Sequence, residues 1–345
     1  MEKEKRDMIL VTGIPRSGTS WIAEVLCYSD KVKGYYEPDN EHNNLLGYIH
    51  KQHLHRFPYL KADNSNNGLY TIFRKAISDH YIHEYSKPSL AIKKLLNINL
   101  ATAEREIYQK CNPEQATANS IRIQTTSQNL RLKLATMFYT FLQLFVRFNR
   151  HKKIPLIKSV HCLLALANLR SVFNTKVLII LRHPASIISS HLRIKNPDIN
   201  RNLIIQKALV DDYLQPYIDK IYALKDPLEK AGAQVAIFYY ILACQIKENP
   251  DWSVVKHEDV CLHPKQKFKK LYKQLNLDWS DTIDDKIDAL NKKGKGYSTK
   301  RISRQEIDKW SYELEPSQIE KIKRGYNVIP PSFYKEFIYQ NVSPK

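Results

Sequence analysis

The fold of this chain is decided by one stretch near its start, Met8-Ile9-Leu10-Val11-Thr12-Gly13-Ile14-Pro15-Arg16-Ser17-Gly18-Thr19-Ser20-Trp21. It opens with an apolar run that is typical of a buried parallel strand. Residues 22–26 follow with apolar side chains at helical spacing. A strand, a glycine loop and a helix in this order direct backbone N–H groups and a helix dipole at a phosphate. The stretch therefore predicts a phosphate-binding loop, and a plain strand–helix turn is the alternative.

The loop differs from that of nucleotide kinases at one position. Gly13 and Gly18 have the spacing of the Walker pattern, which continues with Lys and then Ser or Thr. Thr19 stands where the lysine belongs, and kinases use that lysine on the β- and γ-phosphates together with Mg²⁺. Arg16 supplies a cation inside the loop instead, which suits an anion shorter than a triphosphate. A nucleotide or small-molecule kinase remains an alternative.

Composition places the chain among globular proteins that bind anions. Its 345 residues exceed one average domain, but an α/β domain with insertions reaches this size, so we expect a single domain over residues 1–345. The cysteines show no CxxC spacing, and neither a disulfide framework nor a zinc site is expected. The net charge of +19 favours a polyanionic partner. No RNA- or DNA-binding pattern is present, so specific nucleic acid is not expected; a non-catalytic polyanion-binding module stays an alternative.

The apolar segments indicate a cytoplasmic protein. No signal peptide or anchor precedes the first predicted strand. Residues 134–146 form the most apolar later segment, which is too short for a bilayer span of about 20 residues. It is interpreted as a core or lid helix. The alternative is a helix that rests on the inner membrane surface, because basic residues flank it.

Residues 31–39 predict a second short strand that ends at a carboxylate. Pro38 keeps the preceding Glu37 extended, and a strand end beside a phosphate loop is where catalytic groups lie in open α/β sheets. Glu37 is therefore a candidate general base, and a surface or ion-paired glutamate is the alternative. Residues 40–153 show no clear strand and no metal-ligand spacing. We interpret them as a mostly helical insertion over the acceptor side.

Two later strands carry further candidates. Residues 154–158 end on Lys158, whose ammonium is expected at the carboxyl edge of the sheet, and a helix is predicted to follow His161 and run to residue 173. Residues 176–181 are a buried strand, followed by Arg182 and by a proline that suits a first helical turn. Ser190 lies about two helical turns after Arg182. The arginine and the hydroxyl predict a second phosphate site.

Taken together, these motifs resemble those of sulfotransferases that use 3′-phosphoadenosine 5′-phosphosulfate (PAPS), a superfamily of cytosolic, carbohydrate and tyrosylprotein enzymes. Residues 14–21 resemble its 5′-phosphosulfate loop, and Arg182-His183-Pro184 with Ser190 resembles its 3′-phosphate motif. Residues 255–264 and 310–326 are similar to its late strand and C-terminal helix. The resemblance implies an α/β fold with a P-loop NTPase-like central parallel sheet flanked by helices, and a helical insertion at about 40–153.

The resemblance also implies roles for single residues. The 5′-phosphosulfate would be held by Arg16, Ser17, Gly18, Thr19 and Ser20, and the 3′-phosphate by Arg182 and Ser190. Trp21 would lie against the adenine. Arg16, the loop N–H groups and Lys158 would stabilise the charge on the leaving phosphate without a metal.

The choice of base and acceptor depends on which branch of the superfamily the chain resembles. Glu37 matches the catalytic glutamate of tyrosylprotein and several carbohydrate enzymes. Cytosolic enzymes use a histidine in a Lys-Thr-His motif, and here His161 follows Lys158 one residue late. One residue on a helix rotates a side chain by about 100°, so Glu37 is favoured. Glu37-Pro38 favours a carbohydrate hydroxyl, on a glycan or glycolipid, as the acceptor; tyrosine peptides and small alcohols remain alternatives.

Overall fold

Within the described residues, five parallel strands form a central sheet. In the order β2-β3-β1-β4-β5, the sheet contains β1 (Asp7–Gly13), β2 (Val32–Tyr36), β3 (Ile154–Lys158), β4 (Asn174–Leu181) and β5 (Ser253–Lys256). The structure is a computed structural model that describes residues 7–41, 44–51, 54–62, 67–77, 82, 91–92, 94, 126–145, 153–194, 203–294 and 299–339. The predicted parallel sheet is thus confirmed. β1, β3 and β4 lie within two residues of their expected bounds, whereas β2 ends at Tyr36, three residues before the end of the predicted stretch.

The strand order brings the predicted site residues to one edge. β1 lies between β3 and β4, with Val11 in register with Lys158 on one side and Leu178 on the other. The chain thus leaves β1 toward one side of the sheet and later continues on the other side. In open α/β sheets, ligands bind outside the carboxyl ends of the strands at such a switch point. The residues after β1, β3 and β4 therefore share one crevice.

Helices cover both faces of the sheet. They are α1 (Thr19–Leu26), α2 (Leu45–His50), α3 (Gly68–Ile77), α4 (Thr126–Phe145), α5 (Leu166–Val172), α6 (Pro184–Ile194), α7 (Lys207–Leu209), α8 (Ile218–Ala223), α9 (Pro227–Glu248), α10 (His257–Leu262), α11 (Pro264–Gln274), α12 (Asp281–Leu290), α13 (Trp310–Glu313), α14 (Pro316–Tyr326) and α15 (Glu336–Tyr339). Short 3-10 turns cover Leu203–Ile205, Gln215–Tyr217 and Ser303–Glu306, and a π-helical turn covers Val210–Leu214.

Alternate side chains of β1 contribute to two hydrophobic clusters on opposite faces of the sheet. Met8 and Leu10 contribute to a cluster that includes residues of α2, α3, α4, α9 and α14. Ile9 and Val11 contribute to the cluster on the other face, with α1, α11 and α12. Successive side chains of a strand point to opposite faces, so both faces of β1 are buried. This explains why its sequence is continuously apolar.

The described part of region 40–153 contains helices α2, α3 and α4, whereas residues 54–62 form no helix. Its helices α2, α3 and α4 pack into the cluster that contains Met8 and Leu10. In α4, Ala135 and Tyr139 are buried, while Leu130 and Met137 are exposed. The apolar segment up to residue 145 therefore packs on the protein through one face, as a core or lid helix does, and residue 146 lies outside the described residues. No helix in the described parts of the chain has the length and apolar character of a membrane span.

The helix expected after His161 begins later than predicted. α5 starts at Leu166, and residues 159–165 form turns instead. The Ser159 hydroxyl accepts a hydrogen bond from the His161 backbone N–H (3.1 Å) and donates one to Asp39, both of which hold the turn. His161 is therefore not on a helix. The rotation of about 100° per helical residue, used above to place its side chain away from the site, does not apply to it.

Candidate functional site

The loop after β1 has two residues in the left-handed backbone region. Gly18 has φ 91° and Arg16 has φ 74°. Only glycine adopts this region without strain, and strained non-glycine residues cluster at functional sites. Gly18 is also required for space, since a Cβ there would lie 2.2 Å from Cδ2 of His257. A Cβ on Gly13 would lie 2.5 Å from the carbonyl oxygen of Ile180. Both glycines of the motif thus let β4 and α10 approach the loop.

The loop presents unsatisfied donors to the crevice. No side chain caps the N-terminus of α1, and its first turn holds no acidic residue. The first N–H groups of a helix have no partner within the helix, and they favour an anion. Thr19 is buried and Ser20 is exposed in that turn. Ser17 is also buried, and its hydroxyl has no hydrogen-bond partner among the described residues. A bound oxyanion would satisfy these groups, so the loop fits a phosphosulfate.

Arg182 stands at the end of β4 and is almost fully buried. One guanidinium nitrogen donates to the Arg16 carbonyl (3.0 Å), and another donates to the Glu306 carboxylate (3.3 Å). Its Nε has no partner among the described residues. The backbone N–H of Arg182 donates to the Tyr239 hydroxyl (2.9 Å), which fixes the strand end. Burial favours a neutral Glu306, but the charges of Arg182 and Lys309 together outweigh this effect and lower the pKa of that carboxyl.

The loop and the start of α6 form one continuous region. Arg16 Nε donates to Ser190 Oγ at 3.0 Å, across 174 residues of sequence. His191 Nε2–H donates to the Pro15 carbonyl at 3.1 Å. Arg193, one turn beyond Ser190, points its guanidinium at the same hydroxyl from 3.5 Å. The two predicted phosphate sites are therefore in direct contact through Arg16, although the sequence separates them widely.

Glu37 lies at the end of β2 with a left-handed backbone, φ 46°, so the prediction that Pro38 keeps this residue extended was wrong. Its N–H donates to the Lys158 carbonyl (2.6 Å), and its carboxylate accepts hydrogen bonds from the Lys158 ammonium and from the Asn40 amide (3.1 Å). Burial alone would raise the pKa of Glu37. The charge and hydrogen bond of Lys158, together with the nearby His161, outweigh burial and hold this pKa well below its usual value. Glu37 is thus ionised at neutral pH, as a general base must be.

Lys158 is the last residue of β3, and its buried ammonium is paired with Glu37. His161 lies on the other side of this carboxylate, with 3.7 Å between Nε2 and Oε2, which is longer than a hydrogen bond. Its ring is buried against Phe57, and burial lowers the pKa of the imidazole. His161 is therefore neutral, and it is brought to Glu37 despite its late position in the motif.

Several residues of this region carried no recognised signal in the sequence. Asp39 is wholly buried and accepts a hydrogen bond from the Ser159 hydroxyl (2.7 Å), which joins the ends of β2 and β3. Arg193 follows Ser190 by three residues on the same helix face, and this spacing is a sequence signal for its place beside Ser190. Glu306 lies 124 residues from Arg182 along the chain, and no local pattern indicates their contact.

Trp21 packs on the helices that follow β5. Its ring meets Phe268 edge-to-face at a centroid distance of 5.3 Å and His257 at 6.0 Å. A contact with adenine stays a prediction. The described residues contain no group of three or more His, Cys, Asp or Glu that could hold a metal ion.

Comparison with known proteins identifies a family. A family model described as "Sulfotransferase family" matches residues 8–281, a range that contains Arg16, Glu37, Lys158, Arg182 and Ser190. Among solved structures, the sulfotransferase domain from the curacin biosynthetic pathway matches with 17% sequence identity and a TM-score of 0.44, over 93% of this chain and 97% of that chain. No curated protein sequence matches the chain.

Proposed function

Because this chain belongs to the sulfotransferase family, we propose that it transfers a sulfuryl group from PAPS to a hydroxyl group of a glycan or glycolipid. The observation that carries the proposal is the contact of Arg16 with both Ser190 and Arg182. It joins the loop that would hold the 5′-phosphosulfate to the residues that would hold the 3′-phosphate. A donor with anionic groups at both ends of one nucleoside fits such an arrangement.

The proposal that the site binds PAPS rests on hydrogen-bond donors that lack partners. The Ser17 hydroxyl and the first-turn N–H groups of α1, which include those of Thr19 and Ser20, would bind the 5′-phosphosulfate. Arg182 Nε and the Ser190 hydroxyl would bind the 3′-phosphate. Buried polar groups without partners are costly. A ligand that satisfies them binds more tightly than its size alone suggests.

The reaction then follows from the placement of charge. The acceptor oxygen forms a bond to sulfur while the bond from sulfur to the bridging phosphate oxygen breaks. That oxygen keeps the electron pair and leaves as part of 3′-phosphoadenosine 5′-phosphate (PAP). The acceptor proton passes to the Glu37 carboxylate. Arg16 and the loop N–H groups are oriented in advance toward the phosphate on which negative charge grows, and no metal is required.

The Lys158–Glu37 pair suits both the removal of the acceptor proton and the departure of the phosphate. Before the reaction, the Lys158 ammonium holds Glu37 ionised and oriented. When Glu37 takes the acceptor proton, the ammonium loses its counter-ion and becomes available to the leaving phosphate. Lys158 is in register with Val11, two residues before Gly13, which puts it on the same sheet edge as the loop. We therefore assign it a catalytic role together with Arg16 and Glu37.

The acceptor side is assigned to the helical insertion of a single domain, at about residues 40–153. Asn40, its first residue, already contacts Glu37. The net charge of +19 suits acceptors on acidic glycans or on lipids at an anionic surface. A cytoplasmic enzyme with peripheral contact to the inner membrane surface stays a prediction. Specific nucleic acid is not a proposed partner.

The test is a transfer assay with radiolabelled PAPS against glycans, glycolipids, tyrosine peptides and small alcohols. We expect label on a glycan or glycolipid, and label only on tyrosine peptides or small alcohols would contradict the acceptor class. Thermal unfolding supplies a second readout, because a ligand of the native state raises the melting temperature. PAP should raise it and ATP with Mg²⁺ should not. The opposite result would favour a kinase.

A further inference from the structure

The guanidinium of Arg182, to which the proposed function assigns the 3′-phosphate, already has an anionic partner. Its Nη2 donates to Glu306 Oε2 at 3.3 Å, and the two side chains are only 9% and 10% exposed. Glu306 ends the 3-10 turn Ser303–Glu306, which follows the five described strands along the chain. The charges of Arg182 and Lys309 lower the pKa of its carboxyl, so Glu306 is ionised at neutral pH. A carboxylate thus lies against the arginine that would bind the phosphate.

This carboxylate makes incomplete use of the guanidinium. Hydrogen bonds between a charged donor and a charged oxygen are normally about 2.7–2.9 Å long, whereas Glu306 Oε2 lies 3.3 Å from Arg182 Nη2. The neighbouring Nε has no partner among the described residues. Nε and Nη2 lie on the same side of the guanidinium, where a bidentate oxyanion bonds to both. A phosphate that uses both nitrogens would therefore bind Arg182 more strongly than Glu306 does.

The carboxylate of Glu306 has other cations to which it can turn. Its second oxygen, Oε1, lies 3.3 Å from Lys309 Nζ and 3.9 Å from Arg301 Nε. If Oε2 leaves Arg182, these cations still neutralise the carboxylate, and no buried charge is left without a partner. The backbone carbonyl of Glu306 also accepts from Arg182 Nη2, at 3.2 Å, and this bond does not depend on the side chain. The carboxylate can therefore move aside while the turn keeps its contact with Arg182.

We propose that Glu306 is a built-in competitor of the donor's 3′-phosphate: its carboxylate holds Arg182 before the nucleotide binds, and the phosphate replaces it. This inference rests on the proposed function. Only hydrogen bonds and ion pairs are exchanged in the step. The competition lowers the affinity for PAPS and for PAP alike, because both carry the 3′-phosphate. Product release limits the turnover of many enzymes, so a site that holds PAP less tightly regenerates sooner. Glu306 is thus a determinant of nucleotide affinity and not a catalytic residue.

The test measures the Kd of PAP and the Kd of adenosine 5′-phosphate by calorimetry. Glu306→Gln keeps the size of the side chain and removes its charge, and we expect it to tighten PAP binding about tenfold. Adenosine 5′-phosphate lacks the competing group, so its Kd should stay within about twofold.

Glu306→Asp separates contact from long-range charge. It keeps the charge, but its side chain is one carbon shorter and draws the carboxylate away from Arg182. We expect it to tighten PAP binding as well. The matched control is Glu229→Gln, which removes another carboxylate that an arginine contacts, since Arg324 Nε donates to Glu229 at 2.8 Å. This pair joins α9 to α14, and the Kd of PAP should be unchanged in the control.

The outcomes distinguish the inference from the function on which it rests. If the wild-type protein binds neither nucleotide, the proposed function fails. If it binds PAP, and Glu306→Gln leaves the Kd unchanged or raises it, the competition is refuted. Tighter PAP binding in Glu306→Gln without any change in Glu306→Asp would also refute it, because charge at a distance would then suffice. Equal tightening of both nucleotides would refute it too. Should Glu306→Gln fail to fold, Glu306→Asp decides by the same measurement.

Discussion

The proposed site has two halves, which we call the nucleotide half, around Arg16 and Arg182, and the acceptor half, around Glu37 and Lys158. The two halves share one backbone feature. Each lies at the carboxyl ends of parallel strands, and each includes a residue in the left-handed region, Arg16 and Glu37. The nucleotide half keeps buried donors without partners, such as the Ser17 hydroxyl. The acceptor half has already paired its charges, with Glu37 bound to Lys158.

The difference follows from what each half has to do. A site that binds an anion gains affinity when its donors wait unsatisfied, because the ligand supplies the missing acceptors. A base must instead be ionised before its substrate arrives, and a buried carboxylate stays ionised only beside a cation. The nucleotide half therefore keeps hydrogen-bond donors that only a ligand satisfies. In the acceptor half, the charges of Glu37 and Lys158 already neutralise each other.

The largest expected effect is in the acceptor half. Glu37→Gln should lower turnover by about 10²–10⁴-fold, because the amide cannot take the acceptor proton. The affinity for PAP should stay within about twofold, since Glu37 belongs to the other half. Transfer rates and calorimetry on the same preparation measure both quantities. Glu24→Gln, on the outer side of α1, is the matched control. Wild-type turnover in Glu37→Gln would remove Glu37 as the base.

A second prediction concerns the nucleotide half. Arg182→Ala should weaken PAP binding by about ten- to a hundredfold, because charged hydrogen bonds are lost. It should also lower the free energy of unfolding by about 1–3 kcal/mol, since Glu306 loses its buried partner and keeps the more exposed Lys309 at 3.3 Å. The double variant Arg182→Ala with Glu306→Gln separates the two effects. Its free energy of unfolding, measured by urea titration, should recover, while its affinity for PAP should stay weak. Affinity that returns with stability would mean that Arg182 does not touch the nucleotide.

The glycine at the centre of the nucleotide half gives a smaller effect. Gly18→Ala should lower the free energy of unfolding by about 1–3 kcal/mol, because the new side chain is strained at φ 91°. It also collides with the His257 ring. Urea midpoints measure the change. The same substitution in a His257→Ala background should cost less, since only the backbone strain remains. An equal cost in both backgrounds would exclude the collision.

The smallest effect is a change in pH dependence. Burial, followed by the charge of Arg182, lowers the pKa of His183 to about 3, whereas an unfolded histidine titrates near 6.5. Its folded pKa is depressed, so the stability it contributes is complete above pH 6.5 and is lost as the pH falls below that value. The loss is about 1.4 kcal/mol per pH unit. His183→Gln should reduce the slope between pH 6 and pH 4 by about this amount in urea titrations. An unchanged slope would show that His183 does not stay neutral in the native state.

Local sequence patterns correctly predicted strand 154–158 and the start of α6, but they misplaced the start of the helix after β3. The predicted strand 154–158 has the observed bounds, and α6 begins at the expected proline. The helix after His161 was placed too early, because Ser159 turns toward Asp39 and delays it. A buried partner from another strand outweighed the local helical preference, which is weak for any single residue. The role of each site residue stays a prediction.

By itself, the sequence determined the parallel sheet, the glycine loop and the side chains available at the strand ends. These depend on apolar runs and on spacings within a few residues, where one backbone geometry prevails. Only the tertiary structure decided the partners: Arg16 with Ser190, Lys158 with Glu37, and Arg182 with Glu306. Each pair joins residues more than 100 positions apart. Such contacts arise from strand order and side-chain direction after the chain has crossed the sheet, which no local spacing specifies.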